Sequence, residues 1–436
     1  MKFTAQLLNT LETKEHEPML GLAPLMKMAY SGVDLTSLGN SLLERASLDA
    51  TDNNALMDLS IVLQLRGDPT TAMAIQRQAL QQQQLYTLPA KNGSAAIRLL
   101  AIMAPGTLIA NTPLEFLVEN SDIELQMLYV SPDLPLPESL PEHDIAIVAA
   151  SELEGNMPIL QQLQDLTEFW PRPVLNDPVR IPSVCRDAAS DLLKSVPGVE
   201  IKHTIRLDRL SIEQLGKEEI SLSSILESED YPIIIRPIDS HAGKGLSKIN
   251  QPSDILEYLK TMPAEAEFYI SKFVDYSESD GMFRKARIVV IDGKPFVAHM
   301  AVSSKWMVHY LNAGMTESVA KRAEEECFMS EFENDFGARH AKAINGITDQ
   351  LGLDYYAIDC AETADGKLLV FEVGNAMVVH TMDPEDIFPY KKPQMRRVYE
   401  AFRAMLVNVI ERNKPWRMAP NNAKGSDAAT NWMPPN

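Results

Sequence analysis

The sequence predicts a mixed α/β and α+β protein that begins with an α-helical region. Over the first 90 residues Leu, Met, Ala and Gln recur at spacings of three and four, which is typical of amphipathic helices. Short apolar runs then alternate with polar or helical segments, and two Asp-Gly turns further along each separate strand-like runs. With 436 residues and 45% hydrophobic content, the chain is long enough for two or three domains.

Residues 1–90 form the predicted helical domain. Residues 55–80 predict two helices that are interrupted at Gly67-Asp68-Pro69. Ser60, Ala72 and Ala79 fall where a tetratricopeptide repeat places its small packing residues, so a TPR-like domain is one interpretation. The large aromatic positions of that repeat are missing, and an ordinary helical hairpin is the alternative.

Residues 95–182 predict a small α/β domain. Apolar runs at 96–106, 125–132 and 144–151 are bounded by Gly, Pro or Asp, which favours a mainly parallel sheet. Residues 183–412 form the last and largest predicted domain. Residues 413–436 are rich in Asn, Pro and Ala and predict a disordered tail.

The formal net charge is −20, from 60 acidic and 40 basic residues. A chain of this charge repels nucleic acid unless it carries a local basic stripe, and no such stripe is present, so no nucleic-acid partner is expected. The three cysteines form no CxxC pair and their odd number argues against a disulfide framework. The first residues do not resemble a signal peptide and no run is long enough for a membrane span, so a cytoplasmic protein with no membrane partner is expected.

One of the two hairpins carries a pair of acids. A two-residue turn at Asp365-Gly366 sets Ala364 opposite Lys367, and counting back places Asp359 directly opposite Glu372. Two carboxylates about 5 Å apart repel each other unless a cation or a shared proton lies between them, and they suit Mg²⁺. A surface hairpin with both acids solvated is the alternative. The other face carries apolar residues and predicts a core face: Ile358, Cys360, Leu369, Phe371 and Val373.

A glycine-rich loop follows a predicted buried strand at residues 231–246. Gly243 and Gly245 would let backbone N–H groups close over phosphate oxygens, and the neighbouring cations would neutralise them. The loop is not a Walker A motif, because the first Gly and the final Ser or Thr of that motif are absent.

The order of these features resembles the ATP-grasp superfamily, most nearly its glutathione-synthetase and RimK-like ligases. A strand with a basic end and a Gly-rich loop comes first, then a hinge-like strand, an Arg-bearing hairpin, a long helix and the hairpin with Asp, Glu and Asn. The resemblance covers about residues 172–405, with the preceding α/β segment as the usual leading domain. The N-terminal helices lie outside it.

This resemblance implies that the protein binds ATP and Mg²⁺. Arg236 and Arg287 correspond to cations that contact the transferring phosphate, and are the candidate catalytic residues. Arg236 also belongs to the implied ATP-binding set, whose other members come from the loop and the hinge: Ser240, His241, Gly243, Lys244, Gly245, Ser271, Lys272, Phe273, Val274 and Asp275. The implied metal ligands are Asp359, Glu372 and Asn375.

The sequence departs from the family pattern at four places, one of which is Lys272 in the hinge, near where the family commonly has an acid or Gln. Gly374 stands where the family places its Asn, which leaves Asn375 one residue late. Arg236 replaces a Lys, which keeps the charge but changes its geometry. A further phosphate-binding Lys of the family is missing upstream, where Arg186 is the candidate substitute.

The stretch after Arg287 leads, in related ligases, to the acceptor site. The candidate substrate contacts there are His299, Trp306, His309 and Asn312. Core packing for Trp306 and a structural role for the histidines are the alternatives. A two-residue turn at Asp292-Gly293 puts Arg287 opposite Ala298, so Arg287 and His299 share a face only if a β-bulge intervenes.

The predicted function is ADP-forming ligation of a carboxylate to an amine, or to a thiol or hydroxyl, through an acyl phosphate. An amino acid or a peptide is one expected substrate. A small-molecule kinase on the same fold and a non-catalytic adaptor that holds a peptide or protein are the alternatives. The N-terminal helices could present a peptide to a ligase, and a homodimer is expected because ligases of this kind are often dimers.

Overall fold

The computed structural model describes residues 16–226, 230–240 and 243–413. Within these ranges the α-helices are α1 (Leu22–Tyr30), α2 (Thr36–Leu48), α3 (Asn53–Leu65), α4 (Pro69–Gln82), α5 (Glu115–Val118), α6 (Met157–Thr167), α7 (Arg186–Leu193), α8 (Arg209–Gly216), α9 (Ser223–Leu226), α10 (Pro252–Thr261), α11 (Val319–Glu331), α12 (Phe336–Arg339), α13 (Ala341–Leu351) and α14 (Lys391–Arg412). Short 3₁₀ helices span Glu154–Asn156, Ile181–Val184 and Tyr310–Asn312.

The β-strands of the same residues are β1 (Leu85–Leu88), β2 (Ile97–Met103), β3 (Ile123–Tyr129), β4 (Ile145–Val148), β5 (Val174–Leu175), β6 (Val199–Glu200), β7 (Thr204–Asp208), β8 (Ile233–Pro237), β9 (Ser247–Ile249), β10 (Glu267–Lys272), β11 (Phe283–Ile291), β12 (Lys294–Ser303), β13 (Tyr355–Glu362) and β14 (Leu368–Gly374). They form three sheets, and the predicted mixed α/β and α+β class is confirmed.

The N-terminal region is a group of four helices, α1 to α4. The predicted break between α3 and α4 is confirmed, because the Asp68 carboxylate accepts a hydrogen bond from the Thr71 N–H and Pro69 takes the first helical position. Ala72 and Ala79 are fully buried between the helices. The structure therefore shows a helical hairpin, and the TPR-like interpretation is not confirmed.

The first sheet has the strand order β1-β3-β2-β4-β5. Strands β3, β2 and β4 are parallel to one another, as the apolar runs predicted, and the short strand β5 joins them in parallel. Strand β1 joins antiparallel and lies inside the region 1–90 that was predicted to be helical. Their carboxyl ends meet at one edge, where the loop after β4 carries Glu152 towards the centre of the molecule.

The second and third sheets form the C-terminal part. The second has the order β7-β10-β8-β9 and is antiparallel, while the third has the order β12-β11-β13-β14-β6. The predicted sequence of strand, glycine loop, hinge strand, Arg hairpin, helix and acidic hairpin is present as β8, β10, β11–β12, α11 and β13–β14. Residues 186–226 contain helices α7, α8 and α9 together with the short strands β6 and β7.

One apolar core crosses the predicted domain borders. It joins Leu25 of α1 and Leu99 of β2 to Tyr355 of β13 and Phe402 of α14, all at most 1% exposed. A second core lies between the first and third sheets, and the second sheet has a core of its own with α8 and α10. The apolar interior is thus continuous across the predicted domain borders at 90/95 and 182/183. The borders themselves remain predictions.

No helix among the described residues has both the length and the apolar character needed to cross a bilayer. The predicted tail at 413–436 falls outside the described residues except for Asn413, and so do residues 1–15 and His241 of the glycine loop.

Candidate active site

A cavity of about 630 Å³ lies between the second and third sheets and extends to the N-terminal helices. Its described lining includes six basic side chains, from Arg186, Lys202, Arg236, Lys272, Lys285 and Arg287. The acidic side chains of the same lining are Glu152, Asp359, Glu372 and Asp383. The lining is thus net basic in a chain whose formal charge is −20, which favours a polyanionic ligand here.

The two predicted acids are neighbours across β13 and β14, where Asp359 pairs with Glu372. The turn that was expected to set this register is different, because Leu368 pairs with Glu362 and only Gly366 of the Asp-Gly pair has a positive φ, of 78°. The Thr363 N–H donates to the Lys367 carbonyl at 3.0 Å, so the loop between these two residues is the three residues 364–366, and the predicted pairing of Ala364 with Lys367 is wrong. A bulge between Asp359 and Cys360 restores the predicted pairing of the two acids.

The same bulge changes the face of two hairpin residues. Ile358, Cys360 and Val373 are buried in the second core, as predicted. Leu369 and Phe371 were expected beside them, but they belong to a separate apolar cluster, and both also line the cavity. The bulge inserts one residue into β14, and one residue is enough to reverse which face a side chain takes.

A second bulge lies in the Arg-bearing hairpin. Asp292 and Gly293 both have positive φ, at 49° and 73°, as a two-residue type I′ turn requires. Regular pairing then runs to Ile288, the register shifts, and Arg287 pairs with His299 instead of Ala298. Arg287 and His299 therefore share a face. The bulge is the one that was predicted as the condition for this.

These two bulges complete a row of four side chains across the third sheet. His299 of β12, Arg287 of β11, Asp359 of β13 and Glu372 of β14 are successive register partners. All four line the cavity. The row places an arginine, two carboxylates and an imidazole side by side on one wall.

Asp359 is held by two cations. Its Oδ1 accepts a hydrogen bond from Arg287 Nε at 2.7 Å, and its Oδ2 lies 2.8 Å from Lys285 Nζ. Burial alone would raise the pKa of Asp359, but Arg287 and Lys285 outweigh it and hold that pKa well below its usual range. Asp359 is therefore ionised at neutral pH.

Glu372 has its own cation in Arg186, the first residue of α7, with 2.5 Å between Arg186 Nη2 and Glu372 Oε2. Arg186 also donates from Nη1 to the Phe371 carbonyl at 3.3 Å. The residue considered as a substitute for a missing Lys thus reaches the cavity from the side opposite Arg287.

The third candidate metal ligand, Asn375, is not brought to the two acids. Its side-chain Nδ2 donates to the Ala150 carbonyl at 2.9 Å, and its backbone carbonyl accepts from Thr112 Oγ1. The residue is fully buried against the first sheet. Gly374, which takes the family's Asn position, lines the cavity in its place.

The donor set can be compared with what Mg²⁺ needs. Among the described residues no group of three or more His, Cys, Asp or Glu could hold a metal ion. The two opposed carboxylates nevertheless fit Mg²⁺ of a nucleotide, which one or two carboxylates bind while phosphates and waters supply the other ligands. Asp359 and Glu372 would hold such an ion, and the cations that now pair with them would be free to contact phosphate oxygens.

The glycine loop enters the cavity from β8. Arg236 is 8% exposed and donates from Nε to Ser240 Oγ at 3.0 Å and from Nη2 to the Ser240 carbonyl. Burial, followed by the charge of Arg186, lowers the pKa of Arg236 to about 9. The far end of the loop is fixed at Gly245, whose carbonyl accepts from Tyr258 Oη at 2.8 Å.

Positions 243 and 245 require glycine for different reasons. Gly243 lines the cavity at a φ of 74°. A Cβ on Gly245, at a φ of 67°, would come within 2.7 Å of Pro237 Cδ. Lys244 lies between them and is exposed outside the lining.

The predicted hinge lies at the end of β10. Ser271, Lys272, Phe273 and Val274 line the cavity, whereas Asp275 is exposed and accepts from the Ser277 N–H. Apolar side chains face this stretch, from Val184, Ala189, Ile201, Ile234 and Leu246. A flat aromatic ring would fit between such walls, with backbone groups of β10 at its edge.

Three of the four candidate substrate contacts reach the cavity, namely His299, Trp306 and His309. Asn312 is exposed in a 3₁₀ helix outside the lining. Burial first, and then Arg287, lowers the pKa of His299 well below its usual value, and burial also lowers the pKa of His309. Both rings are therefore neutral and can accept as well as donate a hydrogen bond.

Three polar residues of the lining, among others, were not predicted from the sequence. Lys285 lies two positions before Arg287 on β11, and the period of two in a strand could have placed both on one face. Glu152 follows a parallel strand at its carboxyl end, and burial raises its pKa to about 7. His380 lies beyond the acidic hairpin, where no local pattern marked it.

No protein-family model and no curated protein matches the sequence. Among solved structures, the D-alanine–D-alanine ligase from Bacillus anthracis is similar with a TM-score of 0.44 and 18% identity, over 74% of this chain and 100% of that chain. The VanG D-Ala:D-Ser ligase from Enterococcus faecalis gives a TM-score of 0.43 and 14% identity, over 71% and 99% of the two chains. A RimK domain protein from Sphaerobacter thermophilus, described as ATP-grasp, gives 0.39 and 15%, over 72% and 99%.

Proposed function

We propose that this protein is an ATP-dependent, ADP-forming ligase of the ATP-grasp type, which joins a carboxylate to an amine through an acyl phosphate. The observation that carries the proposal is the row of His299, Arg287, Asp359 and Glu372 on the wall of a basic cavity. The carboxylates suit Mg²⁺, the arginine suits phosphate, and the neutral imidazole suits the substrate.

In this proposal the cavity holds ATP together with the carboxylate substrate. In this proposal the adenine lies beside residues 271–274 of the hinge, and the phosphates extend past Arg236 and Gly243 to the row. Arg186, Lys285 and Arg287 then exchange their carboxylate partners for phosphate oxygens, which keeps each charge paired in a partly buried site. The substrate carboxylate lies beyond Arg287, on the side of His299.

The chemistry has two steps. A substrate carboxylate oxygen bonds to the γ-phosphorus of ATP while the bond to the bridging oxygen breaks and ADP leaves. An amine nitrogen then bonds to the acyl carbon, phosphate leaves, and the nitrogen loses one proton. The protein contributes alignment and fixed positive charge around the transferring group, and Mg²⁺, when bound, supplies further charge neutralisation of the phosphates.

The glycine loop has a second task in this proposal. An acyl phosphate is hydrolysed by water, so the loop has to cover the phosphates while the intermediate exists. Gly243 on the cavity wall and the anchored Gly245 are the described parts of that cover.

The test is the Glu372→Gln variant, assayed for ADP release with Mg²⁺ against amino acids, peptides and other carboxylates. The change keeps the size of the side chain and removes the charge, so we expect at least about a hundredfold loss of turnover with the fold intact. Asp365→Asn, in the exposed turn of the same hairpin, is the matched control and should retain full activity. Mass analysis of the product distinguishes a ligase from a kinase.

Undiminished ADP release by Glu372→Gln would contradict the proposed metal ligand. A product that carries phosphate and no new amide would instead show a small-molecule kinase. A wild-type protein that binds no ATP in the presence of Mg²⁺ would favour the adaptor.

A further inference from the structure

The N-terminal helices contribute directly to the wall of the cavity. Met26, Ala29 and Tyr30 of α1 line it together with Leu65 at the end of α3. Positions 26, 29 and 30 have the spacing of one helix face, so α1 turns a single stripe towards the cavity. Each of these side chains is half-buried, in keeping with a wall that borders open space.

The C-terminal end of this helix is tied to the segment that follows the acidic hairpin. Tyr30 Oη donates to Asp383 Oδ1 at 2.9 Å, and its ring lies 5.8 Å from the ring of His380. Asp383 Oδ2 in turn accepts from Lys391 Nζ at 2.9 Å, and Lys391 lies 3.3 Å from Glu325. Burial, followed by Asp383, raises the pKa of Tyr30, so its hydroxyl remains a donor.

The same segment begins at the catalytic row. Arg287 Nη1 donates to the Val378 carbonyl at 3.0 Å, so residues 378–383 lead from Arg287 to Tyr30. His380 lies between them with its Nδ1 accepting from the Met382 N–H, which leaves Nε2 as the protonated nitrogen. This end of the cavity is thus continuous with the row and is not a separate pocket.

The chemistry of this end is apolar with a few polar groups. Met26, Ala29 and Leu65 face the cavity from the helices, and Met377 and Met382 face it from the segment that follows the acidic hairpin. A substrate whose carboxylate lies at Arg287 would place the rest of its structure among these five side chains. Flexible methionines on both sides suit an aliphatic group and adapt to its shape.

We infer that α1 and α3 form the far wall of the substrate site, and that this wall selects a substrate with an aliphatic group, for which leucine is the probe. The inference rests on the proposed function for the position of the carboxylate. It makes the N-terminal helices part of the active site, in place of an appended module that presents a peptide from outside.

The test compares leucine, as both enantiomers, with glycine in ADP release by wild-type protein and by Ala29→Phe. The added ring should fill the aliphatic space, so kcat/KM for leucine should fall by about tenfold to a hundredfold while ATP affinity is unchanged and glycine is affected less than about twofold. Lys27→Phe places the same ring on the exposed face of the same helix and should leave kcat/KM unchanged for both substrates.

Met26→Ala is a second variant that does not depend on tolerance of a larger side chain. It enlarges the space, so the preference should move from leucine towards phenylalanine. Wild-type protein that prefers glycine to leucine, or equal losses for both substrates in Ala29→Phe, would overturn the inference.

A failure of the proposed function has a different signature. If none of the tested amino acids elicits ADP release by wild-type protein, leucine binding is measured directly by saturation-transfer NMR, without ATP. Leucine contact that disappears in Ala29→Phe and persists in Lys27→Phe would support the aliphatic site. Absence of leucine contact in the wild type, or unchanged contact in both variants, would overturn it.

Discussion

At the scale of single residues, the site is an exchange of charge partners. Asp359 is 4% exposed and is shared by Arg287 and Lys285, while Glu372 belongs to Arg186. In a partly buried site each charge needs a partner at all times, because an unpaired buried charge costs several kcal/mol. The cations that neutralise the acids in this structure are the same groups that a polyphosphate would engage.

The Asp359→Asn variant tests how far the free energy of unfolding depends on these charge pairs. It leaves Arg287 and Lys285 without a charged partner, so we expect the free energy of unfolding to fall by about 3 kcal/mol. The measurement is urea-induced unfolding in the absence of nucleotide.

Asp365→Asn is the control for that variant, because Asp365 lies in the turn of the same hairpin in an exposed ion pair with Lys367. Surface pairs contribute about 0–1 kcal/mol, so the control should lose less than about 1 kcal/mol. Equal losses in the two variants would show that the partners of Asp359 are no more demanding than those at the surface.

At the scale of elements, two bulges and one helix position the site. The bulges in β11–β12 and β13–β14 bring His299 and Glu372 into register with Arg287 and Asp359. Helix α1 is positioned by buried acids at its start, where Asp58 accepts from the Gly21 N–H at 2.9 Å and Glu115 from the Ala23 N–H at 3.0 Å. These acids supply acceptors for the free N–H groups of the first turn.

The start of α1 predicts the effect of Gly21→Ala. Gly21 has a φ of 83°, and a Cβ there would come within 2.5 Å of Glu115 Oε2. We therefore expect a loss of about 1–3 kcal/mol in the free energy of unfolding, from backbone strain together with displacement of the Glu115 carboxylate. Thermal or urea-induced unfolding measures it.

Gly32→Ala separates the two causes, because Gly32 follows the same helix at a φ of 76° and a Cβ there meets nothing within 4 Å. It should show the backbone strain alone, at about 1 kcal/mol. A loss for Gly21→Ala no larger than that for Gly32→Ala would mean that the contact with Glu115 is easily relieved.

At the scale of the whole molecule, three parts of the chain share one apolar interior. The N-terminal helices, the parallel sheet and the third sheet with α14 meet in the largest apolar core. An N-terminal region that shares this core has a fixed place, which is the condition for α1 to serve as a cavity wall.

The shared core predicts cooperative unfolding across the predicted domain borders. Phe402→Ala removes a fully buried ring of α14 that lies 5.7 Å from the ring of Tyr355, and should cost about 3–5 kcal/mol. The slowest-exchanging amides of α3 and of β13 should lose protection by the same amount in hydrogen exchange.

The exposed Phe169 provides the control, and Phe169→Ala should change stability by less than about 0.5 kcal/mol. Loss of protection in β13 with none in α3 would show that the predicted borders separate independent units.

Much of this protein could be predicted from local patterns. The helical break at Pro69, strands β2, β3 and β4 of the first sheet and the neighbourhood of Asp359 and Glu372 follow from turn chemistry and from periods of 2 and 3.6, which depend on residues close in sequence. Strand β1, which lies inside the region predicted to be helical, and the two-residue strand β5 were not predicted. The register of the acids was predicted correctly from a turn that is one residue longer than expected, because a later bulge compensates for it.

Only the tertiary structure decided how these parts meet. It turned Asn375 towards Ala150 and away from the acids, placed Leu369 and Phe371 on the cavity wall, and supplied Arg186 and Lys285 as partners of the carboxylates. The contacts of Asn375, Arg186 and Lys285 depend on packing between segments that are far apart in the sequence. No local period records such packing, and for that reason the sequence indicated the acids while the fold determined what surrounds them.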